Sequence, residues 1–177
     1  MDSDSSASTF DPDRILFVLD SHRVDFIIVG GVAAQVYGAS RMTTDFDCIP
    51  SNDFANLTRL AGALRQLNAR LRVAGMTDSE ARQLPLRLDA HTLAGFGSST
   101  WTTDAGSLDI LVDLRDSSGG RRHYSDLLPR AVHVEVGPVT VRIAALRDIV
   151  ESKIYASRQK DLEALPELEK LLRNLET

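Results

Sequence analysis

The alternation of apolar and polar positions divides the chain into short elements of both kinds. DPDRILFVLDSHR (11–23) has apolar residues at helical spacing, with Pro12 suited to a first turn, and predicts a helix. DFIIVGG (25–31) predicts a short buried strand ending in two glycines, and VAAQVYGAS (32–40) a helix closed by Gly38. In RMTTDFDCIP (41–50), apolar Phe46, Cys48 and Ile49 and β-branched Thr43 and Thr44 predict a strand. DFANLTRLAGALRQL (53–67) is an amphipathic helix with Asp53 as its N-cap. Pro85 and the glycines 75, 95 and 97 predict irregular structure around a short helix over 74–98. SLDILVDL (107–114) predicts a strand, SSGGRRH (117–123) a loop, and AVHVEVGPVTVRIA (131–144) a hairpin through Gly137-Pro138. LRDIVESKIYASR (146–158) predicts a helix, and DLEALPELEKLLRNLE (161–176) a helix interrupted or restarted at Pro166. This order gives an α+β class, a mixed β-sheet flanked by helices.

The strand at 41–50 carries an anomaly. Residues two apart on a strand project to one face, about 6.6 Å apart. Asp45 and Asp47 therefore share a face, while Phe46 and Cys48 point into the core. Two neighbouring carboxylates repel, and partial burial strips their hydration. A divalent cation removes both costs, and two-metal sites need carboxylates converging from one sheet face. Asp109 interrupts the apolar run of 107–114 and is the third carboxylate; Asp113 falls at or beyond the strand end. Gly30-Gly31, between strand and helix, makes either a tight turn or a place where a phosphate meets backbone N–H groups.

Composition narrows the class. The chain has 177 residues, enough for one domain with a real core. Residues 1–10 are expected to be a disordered tail, and 11–177 one domain with its core at about 25–145 and C-terminal helices at 146–176. No apolar run reaches the roughly 18–20 residues of a membrane span, and the acidic, Ser-rich start is unlike a signal peptide. The expected location is cytoplasmic. One cysteine excludes an internal disulfide and a Cys-based zinc site, and the four histidines show no ligand spacing. The net charge of −5 is uneven: residues 1–25 hold six acids and two bases, while 59–87 hold six arginines against Asp78 and Glu80. That stretch is a local basic patch or a solvated helix face.

GGVAAQVYGASRMTTDFD resembles the signature of the polymerase-beta-like nucleotidyltransferase superfamily, a glycine turn followed by an aspartate pair on a strand. Thirteen residues separate Gly31 from Asp45, a spacing such proteins use. The sequence Arg41, Thr43, Asp45-x-Asp47 is most similar to the AbiEii-like group, the nucleotidyltransferase toxins of bacterial toxin–antitoxin systems. SKIYASRQKDLEAL resembles that group's lysine-containing helix and following acidic motif. Many relatives have Gly-Ser where this chain has Gly30-Gly31, so no serine hydroxyl can contact a phosphate there.

The resemblance spans roughly residues 25–165. It implies the corresponding fold and transfer of an NMP from NTP to an acceptor. Asp45, Asp47 and Asp109 would hold Mg²⁺ or Mn²⁺, with Asp109 also a candidate base. Gly30, Gly31, Arg41, Thr43, Lys153 and Asp161 would contact the nucleotide. tRNA is the implied acceptor, with a cognate antitoxin as partner; arginines of 59–87, with Arg121 and Arg122, would then contact RNA. A small-molecule enzyme acting on an aminoglycoside or lincosamide is the second reading. A non-catalytic nucleotide-binding antitoxin or regulator is the third, and an intact Asp45/Asp47/Asp109 set opposes it.

Several of these positions have plainer readings. Lys153 lies on the inward side of its helix as a triphosphate contact, a charge partner or a snorkelling side chain. Asp161 could be an N-cap, and Arg41 a surface loop residue. Trp101 and Tyr124 either stack on a base or pack.

Overall fold

The computed structural model describes residues 9–177. A helix, α1 (Pro12–Ser21), opens the fold, with Pro12 in its first turn and the Asp11 carboxylate accepting from the Arg14 N–H. Strand β1 (Phe26–Val29) runs directly into α2 (Gly30–Val36). β2 (Asp45–Pro50) carries the aspartate pair, and α3 (Phe54–Gln66) follows, capped by the Asp53 side chain on the Asn56 N–H as its sequence predicts. Then come β3 (Arg70–Leu71), α4 (Asp78–Arg82), α5 (Ala90–Gly95), β4 (Ser99–Thr103) and β5 (Gly106–Ile110). A ribbon of β6 (Leu114–Arg115) and β7 (Arg121–Arg122) leads to α6 (Tyr124–Leu127) and the hairpin β8 (Val132–Val136)–β9 (Val139–Ile143). Two helices, α7 (Leu146–Ala156) and α8 (Gln159–Leu175), complete the chain.

The main sheet has the order β3-β4-β5-β2-β1-β9-β8. It is mixed: β2 runs parallel to β5 and antiparallel to β1, and β1 runs parallel to β9. Central strands are covered on both faces, which explains the uninterrupted burial of Phe26–Val29. Phe46 and Cys48 are buried beneath β2, where Ile15, Leu19, Leu60 and Leu64 of α1 and α3 contribute to the core. The fully buried Asn56 ties two strand ends together. Its side chain accepts from the Asp25 N–H and donates to the carbonyls of Asp25 and Ser51.

The structure departs from the sequence reading in several places, three of which bear on the site or the core. Residues 99–103, STWTT, form β4, whose Trp101 is core and packs edge-on against Phe96. Its indole N–H donates to Ser99, so Trp101 is not a stacking surface. Helix α8 runs through Pro166 without a break. Proline removes the donor that would serve the Leu162 carbonyl, but Leu162 is exposed and water can replace the lost bond. Residues 1–8 of the expected tail lie outside the described residues. Phe10, assigned to that tail, packs against the core beside Gly106, and the Asp11 N–H donates to the Ala105 carbonyl. No helix among the described residues is long and apolar enough to cross a membrane.

Candidate active site

A cleft of about 550 Å³ opens between the β1–β2–β5 part of the sheet and the pair α7–α8. Asp45, Asp47 and Asp109 form its floor. Parallel pairing puts Asp47 directly opposite Asp109, and Asp45 one pleat earlier on the same face. One oxygen from each carboxylate lies within 4.8 Å of the other two. Oxygens on one magnesium stand roughly 3–4 Å apart at Mg–O distances of about 2.1 Å, so a small side-chain movement closes the set.

Two observations fit a cation. The buried Asp109 Oδ1 has no hydrogen-bond partner among the described residues, a costly state for a carboxylate oxygen unless a ligand completes it. Asp47 is pushed up to about 7 by burial first, then by the charges of Asp45 and Asp109. The charge of Lys160 and the Gly31 N–H pull the other way. Three carboxylates that cannot all ionise comfortably together are a donor set suited to a hard divalent ion.

The glycine turn fits the same floor. Gly30 has φ +65°, and a Cβ there would lie 2.0 Å from Asp47 Oδ2. A Cβ on Gly31 would meet Thr43 Oγ1 at 2.6 Å. The turn thus presses its backbone against both Asp47 and Thr43. Thr43 contacts the carboxylate floor: its hydroxyl donates to Asp45 Oδ1 at 2.7 Å.

Lys153 and Asp161 lie together on the opposite wall. Asp161 is almost fully buried and pairs with Lys153 at 3.1 Å and Arg158 at 2.7 Å. Burial alone would raise its pKa, but the hydrogen bonds from Arg158 and Lys153 outweigh it and hold the carboxyl below its usual range. Asp161 is not an N-cap: it sits in the first turn of α8, whose N-cap is Arg158. Ser157, in the left-handed conformation at φ 48°, joins α7 to α8 and brings these groups within reach. Arg41 lines the cleft and pairs with Glu163 of α8 at 3.1 Å.

Several cleft residues were not foreseen from sequence, Arg115, Tyr155, Arg158 and Lys160, and Asp113, passed over there in favour of Asp109, lines the cleft as well. Arg158 and Lys160 sit in the same SRQKD run that drew attention to Lys153 and Asp161, a signal that was available. Arg115 and Asp113 come from the ribbon, which has no strong periodicity. The arginines of 59–87 are elsewhere. Arg59 bonds the Arg23 carbonyl and Asp25, Arg65 the Leu88 carbonyl, Arg70 the Asn68 carbonyl, and Arg87 pairs with Asp89. None of the six lines the cleft.

No family model and no curated protein matches the chain. Solved structures do. The lincosamide antibiotic adenylyltransferase LnuA, in a lincomycin-bound crystal structure, superposes with TM-score 0.56 at 12% identity, covering 92% of this chain and 99% of that one. The solution structure of the antibiotic-resistance factor ANT(2'')-Ia gives 0.54 at 13% identity, covering 93% and 88%. Its crystal structure with adenylyl-2''-tobramycin gives 0.53 at 14%, covering 90% and 91%. The chain has the polymerase-beta-like nucleotidyltransferase fold, α+β with a mixed sheet flanked by helices.

Proposed function

We propose that this chain is a divalent-metal-dependent nucleotidyltransferase that moves an NMP from NTP to the 3′ end of an RNA, with tRNA as the acceptor. The observation that carries the reading is the convergence of Asp45, Asp47 and Asp109 beside Gly30-Gly31, with Asp109 Oδ1 unpartnered. The three carboxylates would hold Mg²⁺ or Mn²⁺. Such ions neutralise triphosphate charge and lower the pKa of an acceptor hydroxyl.

The chain's own residues do the rest. Thr43 fixes Asp45 by donating to one oxygen and leaves the other oxygen open. Asp109, on the neighbouring strand, would take the proton of the acceptor hydroxyl. Gly30 and Gly31 let the turn lie against Asp47 and Thr43, where any side chain would collide, and would bring the triphosphate beside the carboxylates. Lys153, Lys160 and Arg41 line the cleft and balance the triphosphate. The acceptor oxygen attacks the α-phosphorus and pyrophosphate leaves. Catalysis of this kind is positioning and charge neutralisation.

The AbiEii-like motif supports a toxin role, with a cognate antitoxin as its natural partner. A second reading is an antibiotic adenylyltransferase, favoured by the structural likeness to LnuA and ANT(2'')-Ia. The test is incubation of the protein with each labelled NTP, Mg²⁺, and either total RNA, tobramycin or lincomycin. Label in RNA that disappears with Asp45→Ala supports the first reading; label on a drug alone replaces it with the second. Expression of the wild-type chain should arrest bacterial growth, and Asp45→Ala should relieve the arrest. NTP should raise the melting temperature only with Mg²⁺ or Mn²⁺ present; equal stabilisation in EDTA would remove the metal from the reading.

A further inference from the structure

The cleft has a lip, built from the β6–β7 ribbon and the α7–α8 joint. Tyr155, in the last turn of α7, is half exposed there. The Arg115 guanidinium carbon lies 5.9 Å from the centre of its ring. Gly119 of the ribbon approaches so closely that a Cβ on it would be 3.1 Å from the ring. Loop and arginine thus both hold the tyrosine, and about half of its surface stays exposed at the cleft mouth. An aromatic held open in this way is a stacking surface for a planar group.

The lip is positive in an acidic protein. Residues 113–122 and 153–161 carry Arg115, Arg121, Arg122, Lys153, Arg158 and Lys160 against Asp113, Asp116 and Asp161, while the whole chain is at −5. Arg121 and Arg158 are more than half exposed, each bonded to a carboxylate by one nitrogen, Nη1 and Nε respectively. Both guanidiniums keep other donors for phosphate.

A polycation does not suit this wall. Asp113 is taken by Arg115 and Arg121, Asp161 by Lys153 and Arg158, and Glu167 accepts from the Ser40 N–H. Outside the carboxylate floor, Glu167 is the one cleft carboxylate without a basic partner among the described residues, so an incoming polycation would meet a single uncompensated charge on a wall that is otherwise paired or positive.

We propose that Arg115, Tyr155, Arg158 and Lys160, with Arg121 beside them, dock the single-stranded end of an RNA, one base stacking on Tyr155 and its phosphates meeting the arginines. The proposal rests on the nucleotidyltransferase reading of the floor and names the surface that delivers the acceptor hydroxyl to it.

The test uses the full chain and a fluorescent single-stranded RNA of about ten nucleotides, comparable to the site sizes of strand-binding grooves. Binding is followed by anisotropy against salt, and NTP·Mg²⁺ binding is measured separately by thermal shift. Tyr155→Ala should weaken RNA binding about tenfold or more, while Tyr155→Phe keeps it. Arg121→Glu should weaken binding and make the slope of log affinity against log salt shallower by about one. Arg65→Glu, away from the cleft, should change neither. All four variants should keep the NTP·Mg²⁺ shift and the far-UV spectrum. Unchanged RNA affinity in Tyr155→Ala and Arg121→Glu, an equal loss in Arg65→Glu, or tobramycin binding that RNA cannot displace would each overturn the lip. A wild-type chain that binds RNA through Tyr155 but shows no NTP·Mg²⁺ shift would uphold the lip and remove the nucleotidyltransferase reading beneath it.

Discussion

Two clusters of charge face each other across the cleft, and they are built on opposite principles. On the sheet, Asp45, Asp47 and Asp109 stand together without an ion pair among the described residues, and one of their oxygens has no partner there. On the helices, Asp161 is more deeply buried, yet it has two cations within 3.1 Å. The helical cluster is complete in the free protein. The floor is complete only with something added. Burial therefore does not mark the functional group; lack of compensation does. The two clusters must also respond oppositely to mutation and to pH.

The largest expected effect is on the floor. Asp47→Asn should lower nucleotide transfer about 10²–10³-fold or more while leaving the metal-free melting temperature equal or higher, because it removes repulsion. A metal-free protein unfolded by this change would make Asp47 structural and dissolve the contrast.

Asp161→Ala is the mirror experiment. It leaves Lys153 and Arg158 without their carboxylate and should cost about 1–3 kcal/mol, below the value for a fully buried pair because Arg158 is 63% exposed. Chemical denaturation measures it. A stability equal to wild type would mean that the joint is as unfinished as the floor.

The pH dependence separates the clusters by sign. Folded Asp47 keeps its proton to about pH 7, whereas the unfolded carboxyl releases it near 3.8. Between those values the unfolded state binds fewer protons, so this group makes the metal-free protein less stable as pH rises from about 4 to 7. Asp161, held below 3.8, acts the other way: its stabilisation is present above that value and is lost as pH falls through the folded pKa. Melting curves from pH 4 to 8 should show the first trend in wild type and lose it in Asp47→Asn. Saturating Mg²⁺ should flatten it too.

The smallest effect belongs to the exposed pair. Arg41→Ala should change stability by less than about 0.5 kcal/mol, since both Arg41 and Glu163 are about half exposed. A larger loss would show that this pair clamps α8 to the loop before β2.

Alternation made the floor legible: a carboxylate at every second position of a buried strand is visible as a violation of the pattern. The glycine turn was legible for a related reason, since only glycine tolerates φ +65° against Asp47 at low cost. Strand β4 was not. Its Ser and Thr residues look like loop, and pairing with β5 supplies what composition does not. The pairing of Asp161 with Arg158 lies within one helical turn and was open to reading, whereas its pairing with Lys153 was hidden, because it spans the left-handed turn at Ser157, a non-glycine residue. The arginines of 59–87 read equally as a local basic patch or a solvated helix face, because charge counted along a chain does not reveal which partners it has in space. Four of the six bond carbonyls or carboxylates, and none of the six lines the cleft.

The parallel pairing of β2 with β5 has a consequence for how such a protein can vary. Asp47 meets Asp109 only because the chain leaves β2, builds α3 through β4, and returns in one definite register. Length changes in the connecting stretch, such as the exposed turn around Gly75, leave that register untouched. Adding or deleting one residue within Gly106–Ile110 turns Asp109 to the opposite face and drives Leu108 or Ile110 into the floor. Diversity of length should therefore collect between Arg72 and Asp89, while β5 can exchange side chains but cannot gain or lose a position.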